Sequence, residues 1–121
     1  LKLLVNADIN PITALTRWQN EVILSPALKS TVQAVVAEAV AVGSAEGLTV
    51  SEKEALELVL SVAEKTAANT SSMLQDVLRG RKTEIEAING YIFRRAEEHG
   101  IAAPVNETLY GMVKSISELR S

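Results

Sequence analysis

The chain has no cysteine. That excludes a disulfide frame and a thiolate metal site, and it fits a reducing, cytoplasmic setting. Aromatic residues make up only 3% of the 121 residues, too few for a stacking platform that reads bases. Basic residues do not dominate: 12 Lys and Arg stand against 15 Asp and Glu, so nucleic acid has no electrostatic footprint to bind. No apolar run approaches the ~20 residues a membrane span needs, and nothing at the start resembles a signal peptide. A lone histidine, His99, supports neither a triad of the usual kinds nor a zinc site, and no metal is expected. There is no Gly-x-Gly-x-x-Gly, hence no dinucleotide loop. Period-two alternation of useful length is missing too, which argues against strands.

What is present is a 47% hydrophobic chain whose apolar residues recur at helical spacing almost throughout. A chain this long buries roughly two-thirds of its unfolded surface. The expectation is therefore one all-α domain over residues 1–121, with about seven helices and short connections. The first helix should cover Lys2 to Ile9 and end or kink near Asn10, because Pro11 lacks an N–H and clashes with the preceding turn. Asn10 would then cap a short helix reaching Arg17. Ser25-Pro26 repeats that start signal for a helix with Val32, Val35, Val36 and Val40 inward. Ser51 with Glu54 forms a capping box, and Asn69 to Ser72 is a polar break. A short helix from Ser72 ends at Gly80. Thr83 and Glu86 read as a second capping box, opening a helix with Ile85, Ile88 and Ile92 inward that stops at His99-Gly100. Gly90 inside it costs about 1 kcal/mol against Ala, so a neighbouring backbone should press against it. Pro104 starts the last helix.

Few residues stand out as chemistry rather than scaffold. Lys2, Asn6 and Asn10 lie four apart, so they share one helix face with a drift of only about 40° per step. Asparagine is a weak helix former, and two at this spacing carry a local cost beside the apolar Leu3, Leu4, Val5 and Ile9. Ser71-Ser72-Met73 and Thr83-Glu84 form a second cluster, by themselves helix capping. Asn20 and Asn69 by themselves read as turn residues. Arg79, Arg81 and Lys82 make a local basic run, by default a solvated turn. His99 suits the negative end of a helix dipole.

Three blocks carry a family resemblance that covers essentially the whole chain. Lys2-Leu3, Asn6, Asn10-Pro11 and Thr13-Ala14 resemble the opening of the C-terminal domain of ketopantoate reductases (2-dehydropantoate 2-reductases). Ser71 to Val77, Gly80-Arg81, Thr83-Glu84-Ile85 and Ile88-Asn89-Gly90 resemble its middle. His99-Gly100-Ile101, Pro104, Asn106 and Leu109-Tyr110 resemble its end. The resemblance implies a helical domain like the C-terminal one of the 6-phosphogluconate dehydrogenase type, preceded by an NADPH-binding Rossmann domain that this sequence does not contain. It implies reduction of 2-dehydropantoate to (R)-pantoate with NADPH, a step toward pantothenate and coenzyme A. Lys2 then matches the catalytic lysine. Asn6, Asn10, Asn20 and Ser72 match substrate-holding residues, with Asn69 their neighbour, and Glu84 matches a glutamate at the junction of substrate and cofactor. Partners implied are the substrate, the Rossmann domain and a second copy in a homodimer. The chain alone is expected to be inactive. A related 2-keto acid reductase domain, or a non-catalytic helical interaction module, would share much of this pattern.

Overall fold

The first helix, α1, runs unbroken from Lys2 to Thr16 and carries Pro11 in its interior. Of the two outcomes expected near Asn10, an end or a kink, the end does not occur. Proline inside a helix removes the hydrogen bond to the carbonyl four residues back, which here is that of Ala7. That carbonyl is supplied from another element: Asn89 Nδ2 donates to Ala7 O at 3.0 Å. With the missing bond replaced, the sequence on both sides of Pro11 joins one helix, and its buried residues extend from Leu4 and Val5 through Ala7 to Ala14.

The computed structural model describes residues 1–120. Five more helices follow α1: α2 (Lys29–Ala45), α3 (Glu52–Lys65), α4 (Ser72–Leu78), α5 (Asn89–Glu98) and α6 (Pro104–Arg120). Single 3-10 turns lie at Asn20–Leu24, Pro26–Leu28 and Ile85–Ala87, and no strand occurs among the described residues. The fold is all-α, with six α-helices where about seven were expected, because the two pieces flanking Pro11 are one. α1 is the central element and packs against α2, α3, α4 and α6. Its apolar face meets Val32, Val35, Val36, Val59, Met73, Val77 and Val113 in a single continuous core.

Local signals account for most boundaries. Ser51 and Glu54 form the expected capping box: Ser51 Oγ accepts from Glu54 N at 3.1 Å, and Ser51 N donates to the Glu54 carboxylate at 3.3 Å. Ser71 caps α4 by accepting from Leu74 N at 3.1 Å. Gly80 and Gly100 follow α4 and α5 with φ of 68°, a left-handed conformation that glycine adopts at no steric cost.

The second capping box does not form. Thr83 Oγ1 accepts from Ile85 N at 3.4 Å, and a 3-10 turn follows in place of a continuous helix. The chain breaks at Ile88 (φ −110°, ψ −95°) before α5 begins. The cause is that the Glu86 carboxylate is engaged elsewhere. It accepts from Tyr110 Oη at 2.9 Å, from Lys114 Nζ at 3.1 Å and from Arg94 Nη1 at 3.1 Å. Ile85, Ile88 and Ile92 are nevertheless all buried.

Gly90 is crowded by a side chain, not by the backbone expected. A Cβ there would lie 2.9 Å from Tyr110 Cε1 and 3.1 Å from Arg94 Nη1. The arginine can swing away, but the ring is held by Tyr110 Oη on Glu86 and stacks on Phe93 with centroids 6.4 Å apart. Gly90→Ala should therefore destabilise the domain by about 1–2 kcal/mol, overpacking outweighing the gain in helix propensity. A urea titration would read this as a lower midpoint; an unchanged or higher midpoint would show that the ring yields freely.

Candidate functional site

The row expected from the sequence is present as one face of α1. Lys2 is exposed, Asn6 is half-buried and Asn10 is buried. Among the described residues nothing hydrogen-bonds the side chains of Lys2, Asn6 or Asn10, although each lies beside packed core. Such unengaged carboxamides, each able to donate and to accept, can be satisfied by a small polar ligand.

α4 is tied to this helix at its N-terminus. Thr13 Oγ1 donates to the Ile9 carbonyl at 2.7 Å or the Asn10 carbonyl at 3.0 Å, and lies 2.6 Å from Ser71 Oγ. Ser71 in turn caps α4, so Thr13 and Ser71 place the start of α4, and with it the exposed Ser72, beside the Asn10 turn of α1. Thr13 was part of the motif but had no role assigned from sequence; a buried threonine one turn after Asn10 was the available signal.

Asn20 and Asn69 meet directly. Asn20 N donates to the Asn69 carbonyl at 3.0 Å, and Glu21 N to the Ala67 carbonyl at 3.0 Å, which clips the 3-10 turn after α1 to the segment before α4. The Asn20 side chain donates to Thr66 Oγ1 at 2.9 Å, while its Oδ1 is buried with no partner. Asn69 is exposed. Asn10, Ser72, Asn20 and Asn69 thus belong to one neighbourhood, stitched by the α1–α4 contact and the Asn20–Asn69 clip.

Glu84 stands apart from that group. It is exposed, on the loop between α4 and the 3-10 turn, and no residue described here hydrogen-bonds or ion-pairs with it. Its loop is braced by Glu86, whose carboxyl is held below the ordinary glutamate range by hydrogen bonds from Lys114 and Tyr110. Among the described residues no hydrogen bond or ion pair joins Glu84 to Lys2.

A concavity of about 650 Å³ lies beside this loop and not over the α1 row. Arg81, Lys82, Thr83 and Glu86 wall one side and Lys114, Ser117 and Glu118 of α6 the other. A smaller apolar groove of about 230 Å³ opens next to the row, lined by Leu1, Leu3, Leu48, Val50 and Tyr91 among others. Leu1 (62%), Leu48 (56%) and Tyr91 (42%) are strongly exposed there. The row is therefore an open face bordered by apolar surface, not an enclosed pocket. His99 takes a different part from dipole capping alone: its Nε2 lies 2.9 Å from Glu46 Oε2, joining the end of α5 to the end of α2. Among the described residues no cluster of three or more His, Asp or Glu side chains could hold a metal ion, and no helix is long and apolar enough to cross a membrane.

Comparison with known proteins gives this geometry a family. The 2-dehydropantoate 2-reductase of Archaeoglobus fulgidus is 47% identical over 116 residues, 95% of this chain and 38% of that protein. The enzyme of that name from Vibrio cholerae is 44% identical over 118 residues, 97% of this chain and 40% of that one. The structure of a dimeric ketopantoate reductase from Staphylococcus aureus superposes with a TM-score of 0.89 at 30% identity, covering 99% of this chain and 42% of that chain. This chain thus spans about 40% of the length of the curated relatives it matches. Residues 1–117 match the family described as ketopantoate reductase PanE/ApbA C terminal, and the chain belongs to that family.

Proposed function

We propose that this domain supplies the substrate-binding and proton-donating face of an NADPH-dependent 2-dehydropantoate 2-reductase. The observation that carries the reading is the α1 row: an exposed lysine and two carboxamides without protein partners, on one face, in a chain of this family. Reduction of a ketone gathers negative charge on its oxygen. The Lys2 ammonium can stabilise that charge and then donate the proton that makes the hydroxyl. Asn6 and Asn10 offer both donors and acceptors, suited to a small acid with a carboxylate and hydroxyls. Ser72 and Asn69, both exposed beside that row, extend the same polar face, and Asn20 holds Asn69 in place.

The fit to a dinucleotide is partial and informative. Glu84 presents an exposed, unpartnered carboxylate, an acceptor of the kind a ribose hydroxyl uses. The chain has no glycine-rich phosphate loop, so pyrophosphate binding belongs to a preceding Rossmann domain. When bound, NADPH supplies the hydride. The open α1 face and the exposed apolar groove beside it suit a site closed by that second domain. A homodimer is part of the proposal, by likeness to the dimeric Staphylococcus aureus reductase. The domain alone should be inactive.

In the full-length enzyme with NADPH, kcat/KM for 2-dehydropantoate should exceed that for simple 2-keto acids lacking the hydroxyl by at least about 100-fold, since a site built to bind a hydroxyl rejects analogues without one. Equal or reversed preference would make it a reductase of another 2-keto acid. No turnover of either class would favour a non-catalytic interaction module.

A further inference from the structure

We propose that Asn89 is a positioning residue for the α1 row, acting through the backbone gap that Pro11 opens. The inference rests on the reading of Asn6 and Asn10 as substrate-binding groups. Asn6 and Asn10 lie on either side of that gap: the bond lost to Pro11 is the one that would join residue 11 to Ala7. Ala7 is fully buried, so solvent cannot satisfy its carbonyl. Asn89 is fully buried as well, and its Nδ2 donates both to Ala7 O and to Asn106 Oδ1, each at 3.0 Å.

Asn89 is itself held from behind. Asn106 Nδ2 donates to Glu38 Oε1 at 2.8 Å, and the Glu38 carboxylate also accepts from Val105 N at 3.0 Å and Asn106 N at 2.9 Å. One chain of hydrogen bonds therefore runs from α2 through the N-terminus of α6 and the first turn of α5 into the middle of α1. Its end point is the carbonyl whose loss would let α1 bend between Asn6 and Asn10. A bend there changes the spacing of the two carboxamides without touching either of them, and misplacement of about 1 Å can cost about 100-fold in a bound reaction.

The test is a pair of variants in the full-length enzyme. Asn89→Leu removes the donor; Pro11→Ala restores a backbone N–H that can reach Ala7 O without Asn89. Asn89→Leu should raise KM for the 2-keto acid at least about tenfold with a smaller change in kcat, the signature of lost uniform binding. In the Pro11→Ala background the same Asn89 change should leave KM within about threefold, because the gap is already closed. A fall in thermal stability with unchanged KM would reduce Asn89 to a structural residue, and absence of rescue by Pro11→Ala would break the link through Ala7. If Asn89→Leu alone fails to fold, the comparison of Pro11→Ala with the double variant still decides. Amide exchange across α1 gives a readout independent of substrate: it should quicken around Asn10 to Ala14 in Asn89→Leu and recover in the double variant. Should the wild-type enzyme turn over no 2-keto acid, the functional reading fails while the exchange data still settle the role of Asn89.

Discussion

Lys2→Ala in the full-length protein should lower kcat by about 100- to 10,000-fold, the range typical of a positioned general acid, and leave the fold intact. Both halves of that expectation have a structural reason. Lys2 is exposed and has no protein partner, so its removal should change stability by no more than about 0.5 kcal/mol. For turnover, Lys2 stands on exposed α1 surface one turn before Asn6, where its ammonium can reach the oxygen of a ketone held by the carboxamides. Lys2→Arg separates the two roles. Arginine keeps the charge that steadies the developing alkoxide but is a far poorer proton donor, so it should restore substrate affinity more than turnover. Steady-state kinetics with circular dichroism to check folding would measure both. A loss of less than about tenfold in Lys2→Ala would remove Lys2 from the chemistry.

What the sequence made legible were groups whose partners lie within a turn or two. Ser51 and Glu54 cap each other, Ser71 caps α4, and Gly80 and Gly100 follow α4 and α5, all from local spacing. Two boundaries failed because a distant side chain intervened. Asn89 bonds a carbonyl 82 positions away and so lets α1 continue through Pro11. Tyr110, Lys114 and Arg94 draw Glu86 away from the cap expected with Thr83. Proline rules and capping boxes describe the isolated segment, and neither can register a donor on another helix. The site divides in the same way. The residue types along α1 were readable, but the meeting of Asn20 with Asn69 depends on how the turn after α1 packs on the end of α3, and the cleft beside Glu84 depends on α6. Among the described residues no hydrogen bond or ion pair joins Glu84 to Lys2, so a complete pocket could not have been drawn from the helices of this domain alone.

Asp8→Asn raises the melting temperature at pH 8 by at least about 10 °C, and the gain shrinks to nothing near pH 4. Asp8 lies on α1 two residues from both Asn6 and Asn10, which puts it on roughly the opposite side of the helix. It is fully buried, and neither carboxylate oxygen has a hydrogen-bond partner. Burial therefore pushes its carboxyl up from 3.8 to about 8. An acid whose folded value lies above its unfolded one binds a proton in the native state that the unfolded state has already released. Stability consequently falls as pH rises from about 4 to about 8, by about 1.4 kcal/mol per unit, and levels off above. Below pH 4 both states are protonated and the penalty is absent. Asparagine has nearly the same shape and an equally unpartnered amide, so its own burial cost is constant with pH and the difference isolates the ionisation. A pH-independent difference between the variants would mean that the carboxyl does not charge in a buried site; a carbon-13 titration of Asp8 with its midpoint near 8 would confirm that it does. The consequence reaches the α1 row. The helix that buries Asp8 on one side carries Asn6 and Asn10 on the other, so the stability lost when Asp8 ionises is lost at the element that holds both carboxamides.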